Sequence, residues 1–219
     1  MTIAQKIADA GITEIVHFTT NRGIVGMLAE GGVLSRRALP ANSYLENVAY
    51  NNAKFRPEDS AYFDKSADWL DYVNLSISEI NRSFFDYSKN WHRNADVWWL
   101  ILSFDAGIAS DPGVFFGTTN NKYEHCVRGE GEAGFAALFA DPVRRRPGWV
   151  ARRLMRGPQL TTCQQAEVLY PSRLSLDGLK RVYVGESDHY DVVRGWLREF
   201  EKPEVEVVIE PNKFNGVPN

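Results

Sequence analysis

Gln164-Gln165-Ala166-Glu167-Val168-Leu169 decides how this chain of 219 residues is read. One acid, boxed in by amides, leads into an apolar, strand-like run. Side chains on a strand alternate between its faces, so Glu167 can point into a cleft while Ala166 and Val168 face a core. Working outward, other segments repeat the alternation. Glu14-Ile15-Val16-His17-Phe18-Thr19 combines β-branched and aromatic residues and puts His17 and Thr19 on one face, Val16 and Phe18 on the other. Trp69 to Ile77 reads as a strand, and Asp71 to Ser78 alternates strictly, with Tyr72, Asn74, Ser76 and Ser78 on a polar yet aromatic face. Val97 to Phe104 is the strongest apolar run and predicts a central strand buried on both sides. Further strands are expected at 114–116, 166–170, 180–184 and 205–210.

Helical segments lie between these strands. Ile3 to Ala10 ends at Gly11, and Thr20 or Asn21 offers an N-cap for a helix through Ile24, Met27 and Leu28, closed by Gly31-Gly32. Glu132 to Phe139 and about 190–200 also read as helices. Pro40 to Asp68 is polar and turn-prone, and a loop of that length in a compact domain is more often functional than idle. The Arg-rich stretch is expected to be partly helical, and 212–219 reads as a frayed tail. The pattern predicts a single mixed α+β domain over 1–219.

Composition narrows the function classes. At 44% hydrophobic and 24% charged, the chain has the makings of one substantial core and is no disordered segment. Its formal net charge of −3 conceals an asymmetry: six of the 25 basic residues (Arg144, Arg145, Arg146, Arg152, Arg153, Arg156) fall in thirteen positions that hold no acid. A concentrated basic segment on an acidic body reads as a focused anion site. Trp149 interleaves with the arginines, which suits single-stranded nucleic acid: phosphates on Arg144, Arg145, Arg146, Arg152 and Arg153, a base on the indole. The two cysteines, Cys126 and Cys163, have neither metal-ligand spacing nor the look of a disulfide framework. No signal peptide and no apolar run long enough to span a bilayer is visible, so a soluble cytoplasmic protein is expected.

The chemistry-bearing residues are spread along the chain. His17 and Thr19, side by side on a strand face, can hold a ribose hydroxyl and a carboxamide. Arg56, between Phe55 and Pro57 in the polar loop, offers paired planar donors suited to a pyrophosphate. Tyr72 and Asn74 sit where a nicotinamide ring could stack. A fixed carboxylate at Glu167 suits the stabilisation of a developing cation. Together the His, the Arg and the Glu point to an ADP-ribosyltransferase. Two other classes stay open: a ribonuclease-type toxin using His17, His92 or His125 as acid and base, and a non-catalytic nucleic-acid-binding module.

Taken in order, His17-Phe18-Thr19 with the Gly31-Gly32 helix end, the Arg56 loop, Asp71-Tyr72-Val73 and Gln165-Ala166-Glu167 resemble the DarT family of DNA ADP-ribosyltransferase toxins. The similarity extends over most of 14–184. Trp69 to Ser78, and Val97 to Phe104 followed by Thr118-Thr119-Asn120-Asn121, look more like the less-studied branch; the thymidine-modifying branch typically has aromatics after its Asp-Tyr-Val, where this chain has Asn74-Leu75-Ser76. The resemblance implies a split, mostly antiparallel β-sheet with NAD in the cleft, used as co-substrate without a metal. It implies catalytic roles for Arg56 (with Lys54 as the alternative register) and Glu167, and cofactor contacts from His17, Phe18, Thr19, Gly26 and Leu34. Residues about 39–58 would form the NAD-binding loop and about 120–166 the loop that presents the acceptor. The implied reaction is pentosyl transfer of ADP-ribose to a guanine or thymine of single-stranded DNA, by a bacterial toxin or phage-defence effector. A macrodomain-type antitoxin of the DarT–DarG kind would be its partner.

Overall fold

The computed structural model describes residues 1–39, 69–91, 96–121 and 123–219. The polar loop with Lys54 and Arg56, and His92, lie outside the described residues. The chain opens with α1 (Ile3–Ala10), whose capping box at Thr2 and left-handed Gly11 cap delimit it, then β1 (Glu14–Thr20) and α2 (Asn21–Glu30). Thr20 caps α2 by accepting from Gly23 N at 3.1 Å, and Gly31 ends it at φ 65°. Both ends follow from residue chemistry: a hydroxyl satisfies an orphan N–H, and glycine tolerates the left-handed cap.

After β2 (Gly32–Leu34), the described strands are β3 (Tyr72–Ile77), β4 (Trp99–Asp105), β5 (Phe115–Gly117), β6 (Arg128–Glu130), β7 (Val143–Arg146), β8 (Trp149–Ala151), β9 (Glu167–Pro171), β10 (Arg173–Ser175), β11 (Leu179–Val184) and β12 (Glu206–Ile209). Among the described residues they make an eight-stranded sheet in the order β12-β11-β4-β1-β3-β9-β5-β6, with β2–β10 and β7–β8 as separate two-stranded pairs. Every neighbouring pair in the large sheet is antiparallel except β11–β12.

Its centre is split. β1 pairs with β4 along its whole length, from Glu14↔Asp105 to Thr20↔Trp99. Against β3 it pairs only at Ile15↔Ile77 and Val16↔Ser76, with Ser78 N donating to Glu14 O at 3.2 Å beyond them. From His17 onward β1 has no ladder partner in β3, while β3 stays zipped to β9 from Tyr72↔Pro171 to Leu75↔Val168. The result is two four-stranded halves that meet at one short ladder and diverge into a cleft.

β4 is buried on both sides, as its apolar run predicts. Leu100, Leu102 and Phe104 join Ile15, Leu75 and Val168 in the main core, and Ile101 packs on the other side with Val16, Phe85 and Tyr183.

Three local expectations fail. The Arg-rich stretch is a β-hairpin, with Pro147-Gly148 as the turn between β7 and β8 and Gly148 at φ 75°. Trp69–Asp71 is a 3-10 turn that precedes β3. The end of the chain is anchored: Pro211–Asn215 forms a 3-10 turn with Lys213 buried. Lys213 Nζ pairs with Glu14 Oε1 and donates to Ser78 O at 3.2 Å. Asn219 Nδ2 reaches Tyr183 Oη at 2.6 Å.

Candidate functional site

The split opens into a cavity of about 320 Å³, lined by His17 and Thr19 of β1, Gly23 and Met27 of α2, Val33 and Leu34 of β2, then Arg36 and Leu39, Tyr72 to Asn74 of β3, and Phe84. The size lies at the low end of ligand sites, about 300–1,000 Å³. Close packing of α2 on β1 shapes it: a Cβ on Gly23 would lie 2.2 Å from Thr19 Oγ1. His17 bridges the cleft where the ladder stops. Its Nδ1 lies 2.9 Å from Asn74 O. A carbonyl only accepts, so Nδ1 carries the proton and Nε2 is left as an acceptor in the neutral ring. Burial favours the neutral form and pushes the imidazole below the usual histidine range, opposed only in part by the bond to Asn74, which favours the protonated form.

Glu167 starts β9 opposite Gly117 and is 8% exposed, while Ala166 and Val168 lie in the core. Asn74 pairs with Leu169. Glu167, two residues along, is therefore a diagonal neighbour of Asn74 on the same face of the sheet, a spacing of about 7–8 Å between backbones. Its Oε2 accepts from Asn121 N at 2.8 Å. Asn121 is gripped in turn by Arg128, whose Nε donates to Asn121 Oδ1 and whose other nitrogen donates to Asn121 O. The Arg128 guanidinium also lies 5.4 Å from the Trp69 ring, which packs with Tyr72 and Phe115. Arg128 thus links the lip of the cavity to the carboxylate.

His17, Thr19, Leu34, Tyr72 and Asn74 all line the cavity. Gly26 does not, and Phe18 turns to the opposite side among Phe84, Phe85 and Trp99. Sequence reading missed Arg36, Met27 and Phe84 in the lining, and Arg128 behind Glu167. Arg36 had a local signal, a cation two residues past the helix-ending glycines and β2. Phe84 reaches the cavity only through the fold.

The basic hairpin divides in two. Arg144, Arg146 and Arg152 are exposed, and Trp149, 53% exposed, lies 4.6 Å from the Arg146 guanidinium. Arg145 is half-buried and donates to Gln165 Oε1 at 2.5 Å, tying the hairpin to the segment that leads into Glu167. Arg153 turns inward onto Leu160 O and Gly157 O, both at 3.0 Å, and lies over the Phe139 ring. Arg156 pairs with the buried Glu79. Cys126 and Cys163 are both buried and both contact Thr119. Burial pushes the Cys126 thiol up, which suits packing and not nucleophilic attack. Among the described residues no cluster of metal-ligating side chains occurs, and no helix is long and apolar enough to cross a membrane.

The site is thus a mixed sheet split beside a histidine protonated on Nδ1, with a buried glutamate held on the same face by Asn121. A family model described as DarT, ssDNA thymidine ADP-ribosyltransferase, matches residues 16–215, and the chain belongs to that family. Two solved structures of Thermus sp. 2.9 DarT are similar in fold. The complex with ADP-ribosylated ssDNA has a TM-score of 0.66 at 18% identity, covering 93% of this chain and 96% of that one. The complex with NAD+ has 0.61 at 17%, covering 92% and 96%. Thermosipho africanus DarTG in complex with ADP-ribose has 0.54 at 11%, covering 94% of this chain and 52% of that one. No curated protein matches by sequence.

Proposed function

We propose that this protein transfers ADP-ribose from NAD to a nucleobase of single-stranded DNA, with Glu167 as the catalytic carboxylate and the split in the sheet as the NAD site. The observation that carries the reading is the diagonal placement of Glu167 beside Asn74, whose carbonyl holds His17 in the wall of the cavity. It is supported by family membership and by the Thermus DarT complexes with NAD+ and with ADP-ribosylated ssDNA.

In this reading the bond between nicotinamide and the ribose carbon breaks, and nicotinamide leaves with the electron pair. Positive charge develops on the sugar, and the Glu167 carboxylate stabilises it. A base nitrogen then bonds to that carbon and gives up its proton, which Glu167 accepts. Neutral His17 presents Nε2 to a ribose hydroxyl or the carboxamide N–H, and Thr19, Tyr72 and Asn74 complete that end. Arg56 clamps the pyrophosphate, within a cofactor loop of about 39–58. Residues about 120–166 present the acceptor, with Arg144, Arg146, Arg152 and Trp149 along the strand. The role is that of a toxin or defence effector in the cytoplasm, where NAD and DNA meet, paired with a macrodomain-type antitoxin that removes the mark.

Mass spectrometry of mixed-sequence single-stranded oligonucleotides incubated with the protein and NAD tests this. The expected result is a gain of one ADP-ribose on DNA, about 10²–10⁴-fold slower with Glu167→Gln. Fragmentation identifies guanine or thymine as the target. Strand shortening without NAD, or full transfer by Glu167→Gln, would overturn the proposal.

A further inference from the structure

After β8 the chain makes a tight turn whose tip carries two apolar side chains into solvent. Arg156 N donates to Arg153 O at 2.8 Å, leaving Leu154 and Met155 at the corner. Leu154 is 84% exposed and Met155 98% exposed. Leu154 is held at φ 45°, a left-handed conformation uncommon for any residue but glycine. The turn is braced from inside: Arg153 bonds Leu160 O, Gly157 O and Thr162 Oγ1, and Arg156 bonds Thr161 O at 2.6 Å and pairs with Glu79. Outward-facing Arg152 adjoins the tip, and Arg144, Arg146 and Trp149 stand on the hairpin that leads to it. An aliphatic tip with a rigid base and a cationic surround fits a polyanion that also has apolar faces to offer.

We propose that Leu154 and Met155 form a wedge that enters between adjacent bases of the acceptor strand, with Arg144, Arg146 and Arg152 on the flanking phosphates. Leucine and methionine serve as such wedges because they displace stacking without needing hydrogen-bond partners, and the surrounding cations hold the opened backbone. Unstacking frees a base for attack at the glutamate site, so the wedge deepens the proposed function and rests on it. Arg145 connects the two regions, since the hairpin is bonded through it to Gln165, two residues before Glu167.

The experiment uses the full chain carrying Glu167→Gln, to hold the complex before transfer, and single-stranded oligonucleotides with 2-aminopurine at each position in turn. One position should brighten at least about twofold as its stacking is broken. In the Leu154→Ser/Met155→Ser variant the brightening should vanish. With Glu167 intact, the same pair of changes should raise the oligonucleotide KM about tenfold, the loss of roughly one base's stacking. The KM for NAD and the salt dependence of binding should hold, because the arginines remain. Leu154→Gly, which relaxes the backbone and removes one side chain, should fall between. Both side chains face solvent, so an unchanged thermal midpoint is expected. Brightening and KM unchanged in the double variant would overturn the wedge. Failure of the wild type to modify any DNA would instead refute the transferase reading, so the two failures are distinguishable.

Discussion

Replacing Lys213 by alanine should destabilise the protein severely, although its segment reads in sequence as a frayed tail. Glu14 is 1% exposed and Lys213 3% exposed. The carboxylate is saturated: Oε1 takes Lys213, and Oε2 accepts from Ser103 Oγ at 2.5 Å and Tyr183 Oη at 2.8 Å. Without Lys213 two hydroxyls remain, but the buried negative charge has no cation. Removing one member of a buried pair costs about 3–5 kcal/mol, against a total domain stability of about 5–15 kcal/mol. Replacing both members by neutral groups of like size is often close to neutral. Glu14→Gln/Lys213→Met should therefore recover most of the loss shown by Lys213→Met alone, and with Glu14→Gln as the other single variant the cycle gives a coupling of at least about 2 kcal/mol. Urea unfolding followed by tryptophan fluorescence reads it, with free energies extrapolated to water. A Lys213→Ala loss below about 1 kcal/mol would mean that Lys213 does not pair with Glu14 in solution, and would refute the reasoning.

Other outcomes follow from the site. Arg128→Ala frees Asn121 from its grip and loosens the bond to Glu167, so kcat should drop about tenfold or more with the NAD KM unchanged; equal kcat would remove Arg128 from any positioning role. His17 is held below its ordinary value of 6.5, so the folded state binds fewer protons than the unfolded chain. Its contribution to stability is full above pH 6.5 and is lost as pH falls through the folded value; urea midpoints of wild type and His17→Gln should converge on acidification, and a constant gap would contradict this. Arg144→Ala, Arg146→Ala and Arg152→Ala should each lower the slope of log affinity against log salt by about 0.7 on single strands, and Arg153→Ala should act on thermal stability instead. A full slope change for Arg153 with no thermal effect would show that its inward bonds do not hold in solution.

Much of the fold was legible where local chemistry sets it. The hydroxyl of Thr20 and the glycine at 31 mark both ends of α2, and alternation assigns His17 and Thr19 to one face before any tertiary contact is known. Glu167 was legible for the same reason, as an acid between two core-facing neighbours. What sequence hid depends on distant partners. Lys213, among proline, asparagine and glycine, reads as tail because its counter-charge is 199 residues away. The arginine hairpin had a signal, Pro147-Gly148 between two short runs, but its charge obscured the strand pattern. The three-residue strands β2 and β10 are too short for periodicity to register. Phe18 shows how neighbours in sequence part in space: it sits between two cavity residues, yet its ring packs among Phe84, Phe85 and Trp99.

The ladder between β1 and β3 has a mechanical consequence. His17 rides on one four-stranded plate and Glu167 on the other, and the plates share a seam only two residue pairs long. Lys213 crosses that seam as a rivet, gripping Glu14 on the first plate and the Ser78 carbonyl on the second. The gap between His17 and Glu167 is therefore the opening angle of a short-hinged pair of jaws, and the bolt at their pivot is Lys213.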